Sequence, residues 1–407
     1  MASSRQPRAL ITTSTFPRWE GDSTARFVRD LGELAAPQWS VTVLAPHHPG
    51  ARSAETLGPL DIQRFAYWVP RSQQRLCYEG GILPNARSSV LAAAQLPAFL
   101  LAELAATRAC LRADGYALVH AHFLVPQGWV AARLLRSRAV PLVVSVHGSD
   151  LFALGGPLAR AAQRAVLARA DVVTVNSDAT ARALDARVPG ARARTILLPM
   201  GYDPAVFFGA PRPPLGSPDV LFVGRLTLQK GADVLLDAFP ALLARVPAAT
   251  LTVVGDGPEL ARLRTQAIAL GIAPRVAWRR ALARESVAAL YGSSAVTVVP
   301  SRADAAGSEG QGLVAIEAMA CGCPVVASRS GGLGSLLGDD ARGLLVPPGE
   351  AGALAAAIVA TLTDASAAQR RAEAARAHVR ACFTWPSLKP RLLEIYAEAV
   401  ARRRARC

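Results

Sequence analysis

Two glutamates, Glu309 and Glu317, stand eight positions apart in "SEGQGLVAIEAMACGCPVV" (308–326), with Gly310 and Gly312 between them. The apolar run "AVTVVP" (295–300) reads as a strand, 301–311 as the loop beyond its carboxyl end, and "GLVAIEAMA" (312–320) as the start of a helix. Glycines at such a turn let the backbone approach a ligand, and the first free N–H groups of the helix attract an anion. This places Glu309 on the loop and Glu317 more than a turn into the helix. A carboxylate accepts hydrogen bonds from neighbouring hydroxyls. The spacing therefore suits an elongated ligand with phosphate in the middle and hydroxyls at both ends, such as a nucleotide sugar.

A second stretch supplies positive charge. In "FVGRLTLQKGADVLLDAF" (222–239), Arg225 ends a strand and Lys230 precedes Gly231 and a helix. Two cations beyond a strand end make a diphosphate clamp and stabilise the charge that grows on a departing phosphate. Standing alone, the pair would be ordinary surface charge in an arginine-rich chain. "VVGDGPE" (253–259) lacks the G-x-G-x-x-G spacing of a dinucleotide fold, and no acid follows at the ribose position. It either connects elements or approaches a base.

In the first half, "VVSVHGSD" (143–150) puts His147 at a strand end. An imidazole there bonds a sugar hydroxyl or a phosphate, or serves only the structure. His120 and His122 lie one pleat apart in "VHAHF" with no further metal ligands nearby, and read as packing residues. "RWEGDSTARF" (18–27) offers a loop at Gly21 and Asp22, just before a helix, that can meet phosphates or an acceptor.

These residues need a scaffold that brings strand ends together. The chain has 407 residues, more than one core usually serves. Short apolar runs alternate with helical stretches: strands at 9–14, 40–46, 117–123, 141–148 and 171–177, then at 219–225, 250–257, 275–280, 295–301 and 323–328. Alternation of this kind predicts βαβ units and parallel sheets. Proline and glycine crowd 205–218. The expected fold class is α/β, with two Rossmann-like doubly wound domains facing across a cleft. The domains are expected at 1–204 and 219–385, joined by a linker at 205–218. A terminal helix at 386–407 is expected to pack back toward the first. Ligands in such sheets sit beyond the carboxyl ends of the strands.

The formal charge is +15 and the pI about 10.6, which favours anionic partners without choosing among them. Aromatic residues are only 6%, with no repeated base-stacking pattern, so nucleic acid is not the expected partner. The six cysteines are scattered, and the lone C-x-C at Cys321 and Cys323 is weak as a zinc motif. They read as small buried residues in a reducing compartment. The N-terminal residues show no long apolar core followed by a small-residue cleavage site, so a signal peptide is not expected there. "VLAAAQLPAFLLAELAATRAC" (90–110) is interrupted by Gln95, Pro97 and Glu103, and reads as a buried helix, not a membrane span.

The blocks "FVGRLTLQKG", "VVGDGPE", "SEGQGLVAIEAMACGCPVVAS" and "GGLGSLLGDDARGLLVPPGE" together resemble the retaining glycosyltransferases of GT-B architecture, family 4, from about Thr12 to Glu350. The resemblance implies a nucleotide diphosphate sugar as donor, with retention of anomeric configuration and no metal or other cofactor. It places Glu309 by the donor sugar, Glu317 on the ribose, and Arg225 and Lys230 on the diphosphate. His147 falls near the sugar, and the backbone of Gly310, Gln311, Gly312 and Leu313 falls against sugar and phosphates. The sequence departs from the family at three places. Gly21-Asp22 stands where many members have Gly-Gly, Gln311 where Phe is commoner, and Arg279-Arg280 where a glycine is expected. Relatives commonly build cell-surface polysaccharide or glycolipid. The implied acceptor is thus lipid-linked or a saccharide, and the implied location is cytoplasmic, peripheral on an anionic inner membrane face. "PRSQQRLCYEGG" (70–81) and "PLARAAQRAVLARA" (157–170) are the candidate docking surfaces. A nucleotide-sugar epimerase, a non-catalytic binding protein and a nucleic-acid binder are the rival readings.

Overall fold

The computed structural model describes residues 6–22, 24–78, 81–113, 115–148, 151, 156–208, 218–302 and 309–406. The chain divides into two compact units. Unit 1 comprises 1–176, 180–198 and 388–407; unit 2 comprises 177–179 and 199–387.

Unit 1 is built on an eight-stranded sheet, ordered β3-β4-β2-β1-β5-β6-β7-β8. The strands are β1 (Arg8–Thr12), β2 (Ser40–Pro46), β3 (Ala54–Leu57), β4 (Leu60–Phe65), β5 (Tyr116–His122), β6 (Leu142–Val146), β7 (Val172–Val175) and β8 (Thr195–Leu197). All pairs are parallel except β3–β4. The central strands are apolar runs buried along almost their whole length, as a sheet covered on both faces requires. The β3–β4 hairpin and the three-residue β8 are not anticipated by the sequence reading. Both lie at sheet edges, where half-exposed strands carry charged and polar residues (Glu55, Asp61, Gln63, Thr195) and the apolar signal fades.

The stretch 90–110 departs from expectation. It forms two helices, Val90–Ala94 and Leu96–Ala113, broken at Gln95. The Gln95 side chain is fully buried: Nε2 donates to the Gln73 carbonyl (2.7 Å) and Oε1 accepts from the Arg75 amide (3.2 Å). Only one face of the second helix is buried, along Phe99, Glu103, Thr107, Cys110 and Leu111, the spacing of a one-sided helix. Val90 and Leu101 are exposed, at 89% and 68%.

Glu103 is buried in this face, and burial, only partly offset by the nearby Gln127 amide, pushes its carboxyl up to about 8. Between pH 4.5 and 8 the folded chain keeps a proton that the unfolded chain has lost, so stability falls as pH rises through this window, by about 3–5 kcal/mol. Glu103→Gln should remove that slope. The melting-temperature gap between variant and wild type should widen from pH 5 to pH 8 in thermal scans; a gap independent of pH would show that the carboxyl is ionised throughout.

The helix Trp385–Arg406 sends Leu392, Ile395, Tyr396 and Ala399 into the core of unit 1 at helical spacing. Tyr396 Oη lies 2.9 Å from His120 Nδ1. Arg403 pairs with the buried Asp171 (2.8 Å), which also pairs with Arg169 (3.1 Å) and accepts from the Leu142 amide (2.9 Å).

Unit 2 carries six parallel strands ordered β11-β10-β9-β12-β13-β14. These are β9 (Asp219–Val223), β10 (Thr250–Val254), β11 (Val276–Arg279), β12 (Val296–Val299), β13 (Val325–Ser328) and β14 (Leu344–Val346). The chain runs outward from β9 in one direction, then returns to β12 on the other side. The carboxyl ends of β9 and β12 are therefore the switch point, where open α/β sheets bind ligands. Of the stretch read as a linker, 209–217 lies outside the described residues, and Phe207 is buried in the unit 2 core. Cys321 and Cys323 are buried there as well, with Cys323 Sγ accepting from Thr297 Oγ1. Cys382 is exposed, against the reading of all six as buried, and Cys407 lies outside the described residues.

Among the described residues no single helix is long and apolar enough to cross a membrane, and no group of three His, Cys, Asp or Glu side chains is placed to hold a metal.

Candidate active site

The loop after β9 is pressed onto the end of β12. Gly231 adopts a left-handed backbone (φ 69°), and a Cβ there would overlap the Pro300 carbonyl. Any other residue would push the loop away. This approach carries Lys230 to Glu309: Nζ lies 2.7 Å from Oε2. The buried Ser301, just beyond β12, donates to the same oxygen at 2.8 Å.

The loop after β13 closes the arrangement from a third side. The Glu309 amide donates to Ser330 Oγ (3.3 Å), and the Glu309 carbonyl accepts from the Gly332 amide (3.0 Å). Gly331 (φ 55°) lies so close that a Cβ would overlap the Glu309 carbonyl. Ser330 Oγ donates to the Arg302 carbonyl (3.1 Å), the Arg302 amide to the Gln229 carbonyl (2.8 Å), and the Arg302 guanidinium to Asp233 (2.5 Å). Three loops from neighbouring strands thus hold one carboxylate.

Burial alone would raise the Glu309 carboxyl. The Lys230 ammonium, the Ser301 hydroxyl and the Gly312 amide outweigh it and hold the group below its ordinary value, so it is a carboxylate at neutral pH.

Gln311 turns its side chain away from solvent and brackets Met200: Oε1 accepts from the Met200 amide (2.7 Å) and Nε2 donates to its carbonyl (2.8 Å). Gly312 (φ 84°) packs against Leu333 and opens the helix Leu313–Ala320. Its first N–H groups lack partners within the helix, and they follow directly on the Glu309 loop.

Glu317 lies one turn further, half-buried, and has a separate set of neighbours. The Tyr291 hydroxyl sits 3.4 Å from Oε2, and Arg284 lies in its field. Burial outweighs both and pushes the carboxyl up to about 7.

Arg225 is exposed on the loop after β9. Its neighbour Leu226 is gripped by the glycine turn of "VVGDGPE": the Leu226 amide donates to the Asp256 carbonyl (2.9 Å), and the Leu226 carbonyl accepts from the Glu259 amide (3.1 Å). That turn supports the Arg225 loop, which favours the connecting reading of this motif.

In unit 1, His147 Nε2 lies 3.0 Å from His122 Nδ1, with the two rings parallel. His120 stacks on His122 and lies 2.7 Å from Ser145 Oγ. Burial drives all three imidazoles down, His120 and His147 to about 3. His147 is therefore neutral at physiological pH and offers a hydrogen bond, not a charge. His120 and His122 are buried, and His122 lies directly behind His147, as their reading as packing residues in the core or behind the site anticipates.

The Asp22 carboxylate is spent on its own loop. It accepts from the Arg18 amide (2.9 Å) and guanidinium (2.8 Å) and from Thr24 (2.9 and 3.1 Å). Burial would raise it, but these donors hold it at about 2. Gly21 (φ 84°) has open space beside it and remains the approachable point of the loop.

Ser301, Ser330, Gly331, Tyr291 and Arg284 have no assigned role in the sequence reading. The one local signal is the "SRSGG" turn (328–332) following an apolar strand.

The sequence and fold have known relatives. A family profile described as "Glycosyltransferase Family 4" matches residues 24–206, and one described as "Glycosyl transferases group 1" matches 207–378. A GDP-mannose-dependent alpha-(1-6)-phosphatidylinositol monomannoside mannosyltransferase from Mycolicibacterium smegmatis is 36% identical, over 67% of this chain and 73% of that protein. The chain belongs to glycosyltransferase family 4. This glycosyltransferase is also 34% identical to a D-inositol 3-phosphate glycosyltransferase from Salinispora tropica, over 77% of this chain and 70% of that one. Its fold matches a sucrose-phosphate synthase from Thermosynechococcus elongatus with a TM-score of 0.76 and 28% identity, covering 98% of this chain and all of that one. The enzyme is thus a GT-B glycosyltransferase.

Proposed function

We propose that this glycosyltransferase moves a hexose from a nucleotide diphosphate sugar to a hydroxyl of a lipid-linked or saccharide acceptor, with retention at the anomeric carbon. The observation that carries this reading is the Lys230–Glu309–Ser301 cluster at the carboxyl ends of β9 and β12. It sets a fixed carboxylate and a cation beside a helix N-terminus. In this reading Lys230, Arg225 and the amides of Gly310–Leu313 receive the diphosphate. Glu309 sits against the sugar, Glu317 accepts from the ribose hydroxyls, and neutral His147 bonds a sugar hydroxyl.

The acceptor oxygen attacks the anomeric carbon on the face from which the diphosphate leaves. The C–O bond to the diphosphate breaks, its electron pair goes to the leaving phosphate, and the acceptor proton passes to a phosphate oxygen. Lys230, Arg225 and the helix N-terminus stabilise the charge that develops there. Because the chain supplies these positive groups itself, transfer is expected without a metal. The mannosyl- and inositol-glycosyltransferase relatives support a hexose donor and a polyol or glycolipid acceptor.

Proton NMR of the product tests the stereochemistry: an anomeric coupling matching that of the donor is expected, and an inverted one refutes the mechanism. Activity that collapsed in EDTA and returned only with a divalent ion would refute metal independence.

The Glu317 carboxyl, at about 7, gives a pH dependence. As an acceptor for ribose hydroxyls it must be ionised, so nucleotide affinity should rise about tenfold between pH 6 and pH 8. Calorimetric titration of the wild type beside Glu317→Gln checks this. A wild-type slope that persists in the variant would place the titrating group elsewhere.

A further inference from the structure

Lys230 is rooted between two residues that are fastened to the same neighbour. The Gln229 carbonyl accepts from the Arg302 amide (2.8 Å), and the Asp233 carboxylate takes the Arg302 guanidinium (2.5 Å). Between these points Gly231 lies against the Pro300 carbonyl with no room for a Cβ. Residues 229–233 and 300–302 therefore run together, and each segment carries one donor to Glu309: Lys230 on the first, Ser301 on the second. The Arg302 carbonyl extends these contacts to the loop after β13. It accepts from Ser330 Oγ (3.1 Å), which itself accepts from the Glu309 amide (3.3 Å).

The Asp233–Arg302 pair differs from an exposed ion pair, which contributes little. Asp233 is 7% exposed and stands in the first turn of the helix Ala232–Arg245, where the helix dipole favours its charge. Its carbonyl accepts from Gln266 Nε2 (3.0 Å), and Arg262 lies 3.6 Å from the carboxylate oxygen that Arg302 bonds. A carboxylate enclosed in this way holds its partner in one place. Lys230 needs such a root. Its ammonium rides on a flexible four-carbon stem and its side chain is 31% exposed, so the 2.7 Å contact with Glu309 depends on where the backbone beneath it is held.

We infer that Asp233 and Arg302 are positioning residues: their ion pair clasps the loop after β12 to the helix that follows Lys230, and so sets the spacing between Lys230 and Glu309. The inference rests on the proposed role of the Lys230–Glu309 cluster for its effect on turnover. Its effect on the cluster itself stands without that reading, and the two are measured separately.

Two double-mutant cycles test it. The first needs no ligand: urea unfolding of wild type, Asp233→Asn, Lys230→Ala and the double variant. Lys230→Ala should cost at most about half as much stability in the Asp233→Asn background as in the wild type. The second reads kcat/KM on whichever of the UDP-, GDP-, ADP- and TDP-sugars the wild type cleaves. Asp233→Asn and Arg302→Met should each lose about tenfold, the cost of a displaced catalytic group, but less than about twofold when Lys230 is already alanine. Arg302→Lys keeps the charge and the backbone bonds. It should recover part of the loss, and it carries the same test if Arg302→Met does not fold. A residue that only stabilises the fold would cost the same factor with and without Lys230. Three results would overturn the inference: additive stability losses in the first cycle, a tenfold activity loss that persists without Lys230, or full activity in Asp233→Asn. A coupled first cycle in an enzyme that cleaves no donor would uphold the clasp and refute the catalytic reading.

Discussion

Lys230→Ala is expected to lower kcat/KM by about two to three orders of magnitude and also to destabilise unit 2. The catalytic part follows from the proposed role: a cation aimed at a departing phosphate is worth about 3–4 kcal/mol in the transition state. The stability part follows from the ion pair. Glu309 is 8% exposed, and without Lys230 it is left with the Ser301 hydroxyl and the Gly312 amide. Stranding one member of a buried pair costs several kcal/mol; because the Lys230 side chain is 31% exposed, water replaces part of it, and about 2 kcal/mol is expected. The opposite substitution is asymmetric. In Glu309→Gln the amide keeps the Ser301 hydrogen bond, and the half-exposed ammonium rehydrates, so stability should barely change while turnover falls by at least a hundredfold. Urea unfolding beside steady-state kinetics checks the pair. Equal stability losses in the two variants would mean that the ion pair is not the element holding the loop.

Asp171→Asn is the second large effect, and it acts far from the chemistry along the chain. The Asp171 carboxylate is fully buried. It pairs with Arg169 and Arg403 and lies 3.5 Å from Arg406. Removing its charge leaves these arginines facing one another, a loss of about 3–5 kcal/mol. The same change unfastens the end of the helix Trp385–Arg406, so trypsin should cut near Arg402–Arg404 much faster in the variant. Adding Arg403→Met should restore part of the loss, since it removes a stranded charge. Full additivity of the two substitutions would rule out the coupling.

The architecture was legible where burial is complete. β1, β2, β5, β6 and β7, and β9, β10, β12 and β13, are apolar runs because a covered parallel sheet demands them. Of the edge elements only β11 was legible, read at 275–280; the β3–β4 hairpin, β8 and β14 were not, because they are short and partly exposed, so tertiary pairing decides them and local composition does not. The break at Gln95 was hidden for a related reason. A glutamine inside an apolar run looks like an interruption until its two backbone partners, Gln73 and Arg75, are known.

The site was legible at the level of residue types. Glu309, Lys230 and the glycine turn stand out because carboxylate, cation and helix start fall at consecutive strand ends. What the text did not reveal is how they meet. Ser301, Ser330 and Gly331 act through contacts 8 to 22 positions away from Glu309, and serine or glycine after a strand is too common to signal such a role. Asp22 shows the converse: an acid in a suggestive loop whose oxygens are all used by Arg18 and Thr24.

The central claim is that the Lys230–Glu309 cluster binds and activates a nucleotide sugar. The most direct measurement is nucleotide release from a panel of UDP-, GDP-, ADP- and TDP-sugars, by wild type, Glu309→Gln and Lys230→Ala, with and without a membrane lipid extract. Release from one donor, stimulated by lipid and lost in both variants, is the result expected here. Release that survives either substitution, or a wild type that neither binds nor cleaves any donor, would contradict it.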